Sequence, residues 1–187
     1  MSDTGHKFSD EKLIWKEQSR KELLKTPVMS VNETTSISPD GETGNYIVMD
    51  ARSWCAVVPD LGDDYLMVKQ WRHASQCLSI EFPGGVIDDG EEPLQAANRE
   101  LLEETGMKAK EMIYLGSVSP NPALFSNKMH FFLARGLTGD GKQDLDDDEF
   151  VNAIKISKKE VREKMCSPDY PHGLMAVALF LAERHSK

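Results

Sequence analysis

The chain is poor in the features that mark membrane and secreted proteins. It has no apolar run of the roughly 18 residues that a membrane-spanning helix needs, and its first residues, MSDTGHKFSDEKLIW, do not follow the basic-then-apolar pattern of a signal peptide. Its cysteines, Cys55, Cys77 and Cys166, are far apart and have no CxxC spacing. We therefore expect reduced thiols in a cytoplasmic protein without a membrane partner.

Basic residues are also scarce. Lys and Arg number 22 against 31 Asp and Glu, which gives a formal net charge of −9. A surface of this charge repels the phosphate backbone of nucleic acids, so we expect no nucleic-acid partner. Phosphate ligands remain possible if metal ions lie between them and the acidic side chains.

The length and the hydropathy pattern indicate one α/β domain preceded by an arm. The chain has 187 residues, of which 40% are apolar and 28% charged, and no internal repeat. A hairpin is predicted over 28–49, with turn residues at 38–41. Strands are predicted over 54–58, 65–69, 79–82, 112–117, 130–134 and 151–156, and helices over 94–105, from 157 onward and over 173–185. This alternation predicts a mixed sheet with helices on both faces.

The helix at 94–105 carries an unusual acidic face. Glu100, Glu103 and Glu104 stand at i, i+3 and i+4, so their carboxylates fall within an arc of about 100°. Like charges at this spacing destabilise a helix by a few tenths of a kcal/mol per pair. One interpretation is a solvated acidic surface; the other is a divalent cation site, because Mg²⁺ prefers carboxylate oxygens.

The residues around these glutamates favour the second interpretation. Gly85, Glu91, the Arg99-Glu100 pair, the Glu103-Glu104 pair and Gly106 follow one another with the fixed spacing GX5EX7REUXEEXGU, in which U is an aliphatic residue. A chance match to all seven fixed positions is expected about once in 10⁶ chains of this length. We call residues 85–107 the box.

With this box the chain resembles the Nudix hydrolases. Flanking segments are similar to the branch of ADP-ribose and nucleoside-diphosphate-sugar pyrophosphatases, and the resemblance covers roughly residues 12–185. These segments are VKQWR at 68–72, EFPGG at 81–85 and Pro122, fifteen residues beyond the box. The chain departs from the branch at Gly84, where Ala is common, and at 121–127, which replaces a Pro-Gly stretch.

The resemblance implies a fold and a domain division. The fold would be the α-β-α Nudix fold, with a mixed sheet between helices and an N-terminal β-rich arm. Residues 1–47 would form the arm and 48–187 the catalytic domain. In the branch such an arm reaches across to a second subunit, which implies a homodimer; a monomer with a folded-back arm is the alternative.

The resemblance also implies a metal site. Glu100, Glu103 and Glu104 would ligate two or three Mg²⁺ ions, with Mn²⁺ as a possible replacement, and the carbonyl of Gly84 would be a further ligand. Arg99 would orient the carboxylates, and Glu91 would support the loop before the helix.

An acidic residue on a later loop completes the site in this branch. Glu149 matches it best and Asp147 second, with a solvated loop acid as the alternative interpretation. Glu149 would be both a metal ligand and, with Glu103 as the other candidate, the group that accepts a proton from the attacking water.

The candidates for substrate binding lie outside the box. Arg72 ends a predicted strand, where its guanidinium would either fork onto a phosphate or form a surface salt bridge. Trp54 would stack on a base or pack in the core, and it ranks above Trp15. Arg52 is a weaker phosphate candidate. Phe125 and Asn127 are candidate pocket residues from the loop at 121–127.

The expected activity is Mg²⁺-dependent hydrolysis of the pyrophosphate bond in ADP-ribose or a related nucleoside-diphosphate sugar. The products would be a nucleoside monophosphate and a sugar phosphate. Two alternatives remain open. One is a Nudix hydrolase of another nucleoside-diphosphate derivative, such as a dinucleotide or an oxidised nucleotide, and the other is a non-catalytic Nudix module that senses a nucleotide.

Overall fold

The computed structural model describes residues 10–145 and 149–185, which form two compact units. The first unit contains the chain up to Ala51 together with Asn121–Ser126, and the second contains Arg52–Pro120 and the chain from Asn127 onward. The first unit thus extends past residue 47, because its last strand continues to Ala51.

The first unit is a three-stranded antiparallel sheet. A short 3₁₀ turn, Asp10–Leu13, precedes strands β1 (Lys16–Lys25), β2 (Met29–Ile37) and β3 (Thr43–Ala51), which lie in the order β1-β2-β3. The predicted hairpin over 28–49 is confirmed. Its turn is closed by a hydrogen bond from Gly41 N to Ser38 O of 3.0 Å, and Gly41 has a φ of 87°, which favours glycine. Strand β1 is exposed along its length and polar except for Leu23 and Leu24, and the sequence did not single it out.

Of the described residues, the second unit contains the remaining strands and three α-helices. In chain order its elements are β4 (Trp54–Pro59), β5 (Asp64–Arg72), β6 (Cys77–Glu81), α1 (Pro93–Thr105), β7 (Met107–Lys108), β8 (Glu111–Val118), β9 (Met129–Arg135), β10 (Thr138–Gly139), β11 (Val151–Ser157), α2 (Lys158–Lys164) and α3 (Gly173–His185). One sheet has the antiparallel order β11-β5-β6. A second has the order β4-β9-β8, in which β4 is parallel to β9, and β7 pairs with β10. The sheet content is therefore mixed, as the sequence predicted.

Strand β4 separates two hydrophobic clusters by the alternation of its side chains. Cys55 and Val57 face one cluster, which also contains Leu101 of α1. Ala56 and Val58 face the other cluster, together with Leu179 and other apolar residues of α3. Because successive strand residues point to opposite faces, β4 has a helix on each side. The predicted α-β-α arrangement is confirmed. Among the helices of residues 10–145 and 149–185, none is long and apolar enough to cross a membrane.

Helix α1 begins and ends at the residues that its sequence predicted. Pro93 occupies the first turn, where its missing N–H is not needed, and the N–H of Glu92 donates to the side chain of Gln95 at 3.0 Å. Gly106 adopts a left-handed φ of 68° and donates its N–H to Leu102 O at 2.7 Å. The helix is therefore defined by local signals at both ends.

Leu101→Ala should destabilise the protein by about 2–5 kcal/mol, because it leaves a cavity where α1 packs on the sheet. Leu101 is 0% exposed, whereas its neighbour Leu102 is 37% exposed and serves as the matched control. Urea denaturation of both variants measures the difference. Equal losses for Leu101→Ala and Leu102→Ala would contradict this account of how α1 is held.

Candidate active site

One acidic cavity gathers the box glutamates. It has a volume of about 350 Å³ and lies entirely within the second unit. Three kinds of segment supply its walls: the acidic face of α1, the loop that follows β6, and the end of strand β5 together with the loop that leads into β11. The lining residues are Gln70, Arg72, Gly84, Gly85, Val86, Asp88, Arg99, Glu100, Glu103, Glu104 and Glu149.

The α1 carboxylates are packed against the protein. Glu100 is 7% exposed and Glu104 only 3% exposed, while Glu103 is half-buried. Glu104 accepts a hydrogen bond from the backbone N–H of Gly84 at 2.8 Å. The i, i+3, i+4 spacing thus produces the shared face that the sequence predicted, and it is turned into the molecule.

Arg99 holds this acidic face together. Its Nε and Nη2 form a fork with the Glu91 carboxylate, with both distances 3.0 Å. Its Nη1 donates to Glu100 at 2.9 Å and to Glu103 at 3.0 Å, and Nη2 also donates to the carbonyl of Val86 at 2.9 Å. These contacts raise the pKa of Arg99 and lower that of Glu91. One guanidinium therefore joins the loop before α1 to two carboxylates on the helix.

Burial is the main influence on the two deepest carboxyl groups. Removal from water raises the pKa of Glu100 to about 7, although the charge of Arg99 opposes this. Removal from water likewise raises the pKa of Glu104 to about 8, against the hydrogen bond from Gly84. The charge of Glu149 adds to both shifts. These carboxylates are therefore costly to ionise without a compensating cation.

The donor set of the cavity fits a divalent cation. Its carboxylates are those of Asp88 and of four glutamates, Glu100, Glu103, Glu104 and Glu149, and hard oxygen donors of this kind are the preferred ligands of Mg²⁺. In residues 10–145 and 149–185 no three such side chains already surround one point that a metal could occupy. Arg99 engages two of the carboxylates and the Gly84 N–H a third. The four acids would hold a cation by exchanging these partners.

Comparison with known proteins agrees with this geometry. The NUDIX domain model matches residues 49–172. The chain belongs to the Nudix family. It is 32% identical over 157 residues to the ADP-ribose pyrophosphatase of Bacillus subtilis (strain 168), covering 82% of each chain. It is 28% identical over 131 residues to the ADP compounds hydrolase NudE of Escherichia coli (strain K12), covering 70% of each chain.

One solved structure and one further relative are also similar to the chain. A crystal structure of an ADP compounds hydrolase superposes with a TM-score of 0.81 at 24% identity and covers 91% of this chain and 93% of that one, which supports the Nudix fold. The methanol dehydrogenase activator of Bacillus methanolicus is 32% identical over 124 residues, which cover 65% of this chain and 67% of that protein.

Two glycines let the loop after β6 approach the Nudix helix and β4. A Cβ on Gly85, the first residue of the Nudix box, would lie 2.4 Å from the Glu100 carboxylate. A Cβ on Gly84 would lie 2.1 Å from the carbonyl oxygen of Cys55, and Gly84 has a φ of 154°. Glycine at 84 is therefore required by this backbone, even though the branch often has alanine there.

Arg72 lies at the wall of the acidic cavity, but its guanidinium is already paired. Its Nε and Nη2 donate to the two carboxylate oxygens of Glu81 at 2.7 and 2.6 Å. Glu81 is only 1% exposed; its burial acts to raise its pKa, yet the pairing with Arg72 prevails and lowers it. The Arg72 side chain is 41% exposed, so it combines a buried ion pair with access to the cavity.

A second, more apolar cavity adjoins the acidic one. It has a volume of about 290 Å³ and shares Arg72, Gly84, Gly85 and Val86 with the acidic cavity. Its other lining residues are Trp54, Cys55, Ala56, Glu81, Phe82, Met129, His172 and Met175. Trp54 is thus at a cavity wall, as a base-stacking residue would be. The sequence reasoning missed Glu81, His172 and Met175; only the EFPGG segment pointed to Glu81, and nothing pointed to the other two.

The structure gives the weaker candidates other contacts. Arg52 forms exposed ion pairs with Asp88 at 3.2 Å and Asp89 at 3.1 Å, in the loop that leads to the Nudix helix. Asn127 is 5% exposed and donates to the backbone carbonyl of Arg52 at 2.7 Å. In the described part of the chain, neither residue lines the two cavities. Phe125 belongs to the first unit, where it pairs with Met49.

The acidic loop is described in part. Glu149 lines the acidic cavity and immediately precedes Phe150 and strand β11. Asp147 lies outside the described residues. Glu149 therefore has the position that a further acid of the site requires, and its role remains a prediction.

Glu104→Gln should stabilise the protein in the absence of metal. The ordinary pKa of the carboxyl is 4.5 and its folded value is about 8, so the folded state binds the proton more tightly than the unfolded state. The wild type therefore loses stability as pH rises through this interval. Thermal unfolding with a chelator should show a higher Tm for the variant above pH 8, and this difference should vanish near pH 4.5. A variant that is less stable than wild type above pH 8 would contradict the assigned cost of burial.

Proposed function

We propose that the chain hydrolyses the pyrophosphate bond of ADP-ribose or a related nucleoside-diphosphate sugar in a reaction that requires Mg²⁺. The observation that carries this proposal is the junction of two cavities, one lined by four glutamates and the other by Trp54 and apolar side chains. The junction is formed by Arg72 and the Gly84–Gly85–Val86 segment. A nucleoside-diphosphate sugar has the matching chemistry, with an anionic centre and less polar ends.

The acidic residues would hold the cations that this reaction needs. A pyrophosphate is a stable anion that repels an anionic nucleophile. Mg²⁺ held by these residues would supply positive charge that offsets the phosphate oxygens and favours deprotonation of the attacking water. Glu100, Glu103 and Glu104 would bind the cations together with Glu149 and the carbonyl of Gly84.

The other residues of the site act on orientation and on the proton. Glu149 accepts the proton of the attacking water, with Glu103 as the second candidate, because a general base must lie at the reacting centre. Arg99 keeps the glutamates in position through its fork to Glu91. The exposed part of the Arg72 guanidinium donates a hydrogen bond to a phosphate oxygen, while its Nε and Nη2 remain bonded to Glu81.

The names of the relatives support this substrate class. Besides the two hydrolases described above, the ADP-sugar pyrophosphatase of Mus musculus is 33% identical over 106 residues, which cover 54% of this chain and 48% of that protein. Trp54 would stack on a flat part of the substrate. Arg52, Asn127 and Phe125 are proposed as weaker candidates for substrate binding.

A substrate panel tests the proposal. Purified protein with Mg²⁺ should release phosphatase-sensitive products from ADP-ribose or ADP-glucose faster than from NADH, diadenosine polyphosphates or 8-oxo-dGTP. EDTA should abolish this turnover, and Glu104→Gln should lose most of it while remaining folded, because a ligand carboxylate is replaced by a neutral amide. Faster turnover of a dinucleotide or an oxidised nucleotide would identify the alternative hydrolase. If no substrate is turned over with either Mg²⁺ or Mn²⁺, the nucleotide-sensing module is favoured.

We also propose a cytoplasmic homodimer that associates through the arm. The apolar side chains of Leu13, Ile14, Trp15, Leu23 and Leu24 are exposed in the first unit, and a partner subunit would remove them from water. The three cysteines, which are free thiols, agree with a reducing compartment.

Light scattering after gel filtration should report twice the chain mass of 21.0 kDa. Leu23→Glu combined with Leu24→Glu should shift the protein towards the monomer, since charges would be placed at the contact. The matched control is Leu78→Glu, an equally exposed apolar residue of the second unit. A wild-type protein that elutes only at 21.0 kDa would refute the dimer.

A further inference from the structure

The segment after β9 passes over the carboxyl end of the Nudix helix at very close range. Strand β10 pairs with β7 through Thr138 and Gly139. Just beyond it, a Cβ on Gly106 would lie 2.4 Å from the backbone nitrogen of Lys142. The last glycine of the Nudix box thus has two functions here, since it ends α1 in a left-handed conformation and leaves room for this segment.

This segment supplies hydrogen-bond donors to the end of α1. The last carbonyls of a helix have no partner within it. The carbonyl of Glu103 accepts the N–H of Asp144 at 2.9 Å, and the carbonyl of Glu104 accepts from the side-chain amide of Gln143 at 2.5 Å. The backbones of two predicted metal-binding glutamates are therefore bonded to residues 143 and 144.

The same Gln143 amide has a second acceptor. Its Nε2 also donates to the carbonyl of Val151 at 3.1 Å. Val151 is the first residue of β11 and comes two residues after Glu149. A single planar NH₂ group, which has two donors, thus connects the end of α1 to the start of the strand that follows Glu149.

We propose that Gln143 is a positioning residue for the reaction and that it fixes Glu149 relative to the carboxylates of α1. Gln143 is half-buried, and in the described residues it does not line the acidic cavity, whereas Glu149 does. Gln143 therefore acts through the backbone of the elements it joins. This inference rests on the proposed function, because the acid that it positions is assigned there to the metal site and to proton transfer.

The main test is Gln143→Met, which keeps the length of the side chain but removes both donors. The matched control is Asn98→Leu, since the Asn98 amide donates to the Leu94 carbonyl at 2.8 Å on the same helix without reaching β11. We expect kcat to fall roughly tenfold in Gln143→Met, the effect of losing hydrogen bonds of ordinary net strength. KM should change little, and Asn98→Leu should retain wild-type kcat.

A double-mutant cycle separates positioning from a general structural role. In a Glu149→Gln background, Gln143→Met should cause little further loss of kcat, because the residue through which it acts is already disabled. The proposal would be overturned if Gln143→Met lowered kcat as much in the Glu149→Gln background as in the wild type. It would also be overturned if Gln143→Met alone had the same kcat as the Asn98→Leu control.

Hydrogen–deuterium exchange without metal provides a readout that does not depend on turnover. Gln143→Met should speed amide exchange at the start of β11, and Asn98→Leu should not. Unchanged exchange there would overturn the proposal. If wild-type protein hydrolyses none of the substrates, the proposed function fails, and the exchange result still decides whether Gln143 holds the start of β11.

Discussion

The candidate active site depends on several carboxylates being held close together on a partly buried face of α1. Glu100 and Glu104 are almost fully enclosed, and their removal from water is the largest influence on their pKa values. Arg99 and the N–H of Gly84 offset part of this cost within the protein. Buried like charges of this kind lower the stability of the fold, a cost that proteins typically carry at functional sites.

The surrounding backbone is arranged so that this acidic face can form. Gly85 leaves room for the Glu100 carboxylate, and Gly106 leaves room for the segment that carries Gln143. Strand β4 has α1 on one face and α3 on the other, so the helix with the acids is fixed by Leu101 and its neighbours. The Nudix box is thus a set of residues that allow close packing as well as a set of charged groups.

Sequence reasoning performed best where the determinants are local. The extent of α1 to within one residue, its shared glutamate face, the hairpin over 28–49 and the start of α2 near 157 were all predicted, and the structure contains them. It performed less well for groups that meet only after folding. Arg52 was a phosphate candidate and Asn127 a pocket candidate, and only the structure gives their contacts, which are two exposed ion pairs for Arg52 and a backbone hydrogen bond for Asn127. His172 and Met175 line a cavity to which nothing in the sequence assigned them.

The sequence alone determined the family, the chemistry of the box and the identity of the acidic residues, because a helix sets the relative directions of residues three and four apart through its own geometry. Only the tertiary structure decided which of these carboxylates are buried, that Arg72 is paired with Glu81, and that Gln143 bonds both to Glu104 and to Val151. These contacts join separate strands, loops and helices, and their geometry follows from how those elements pack rather than from any local preference.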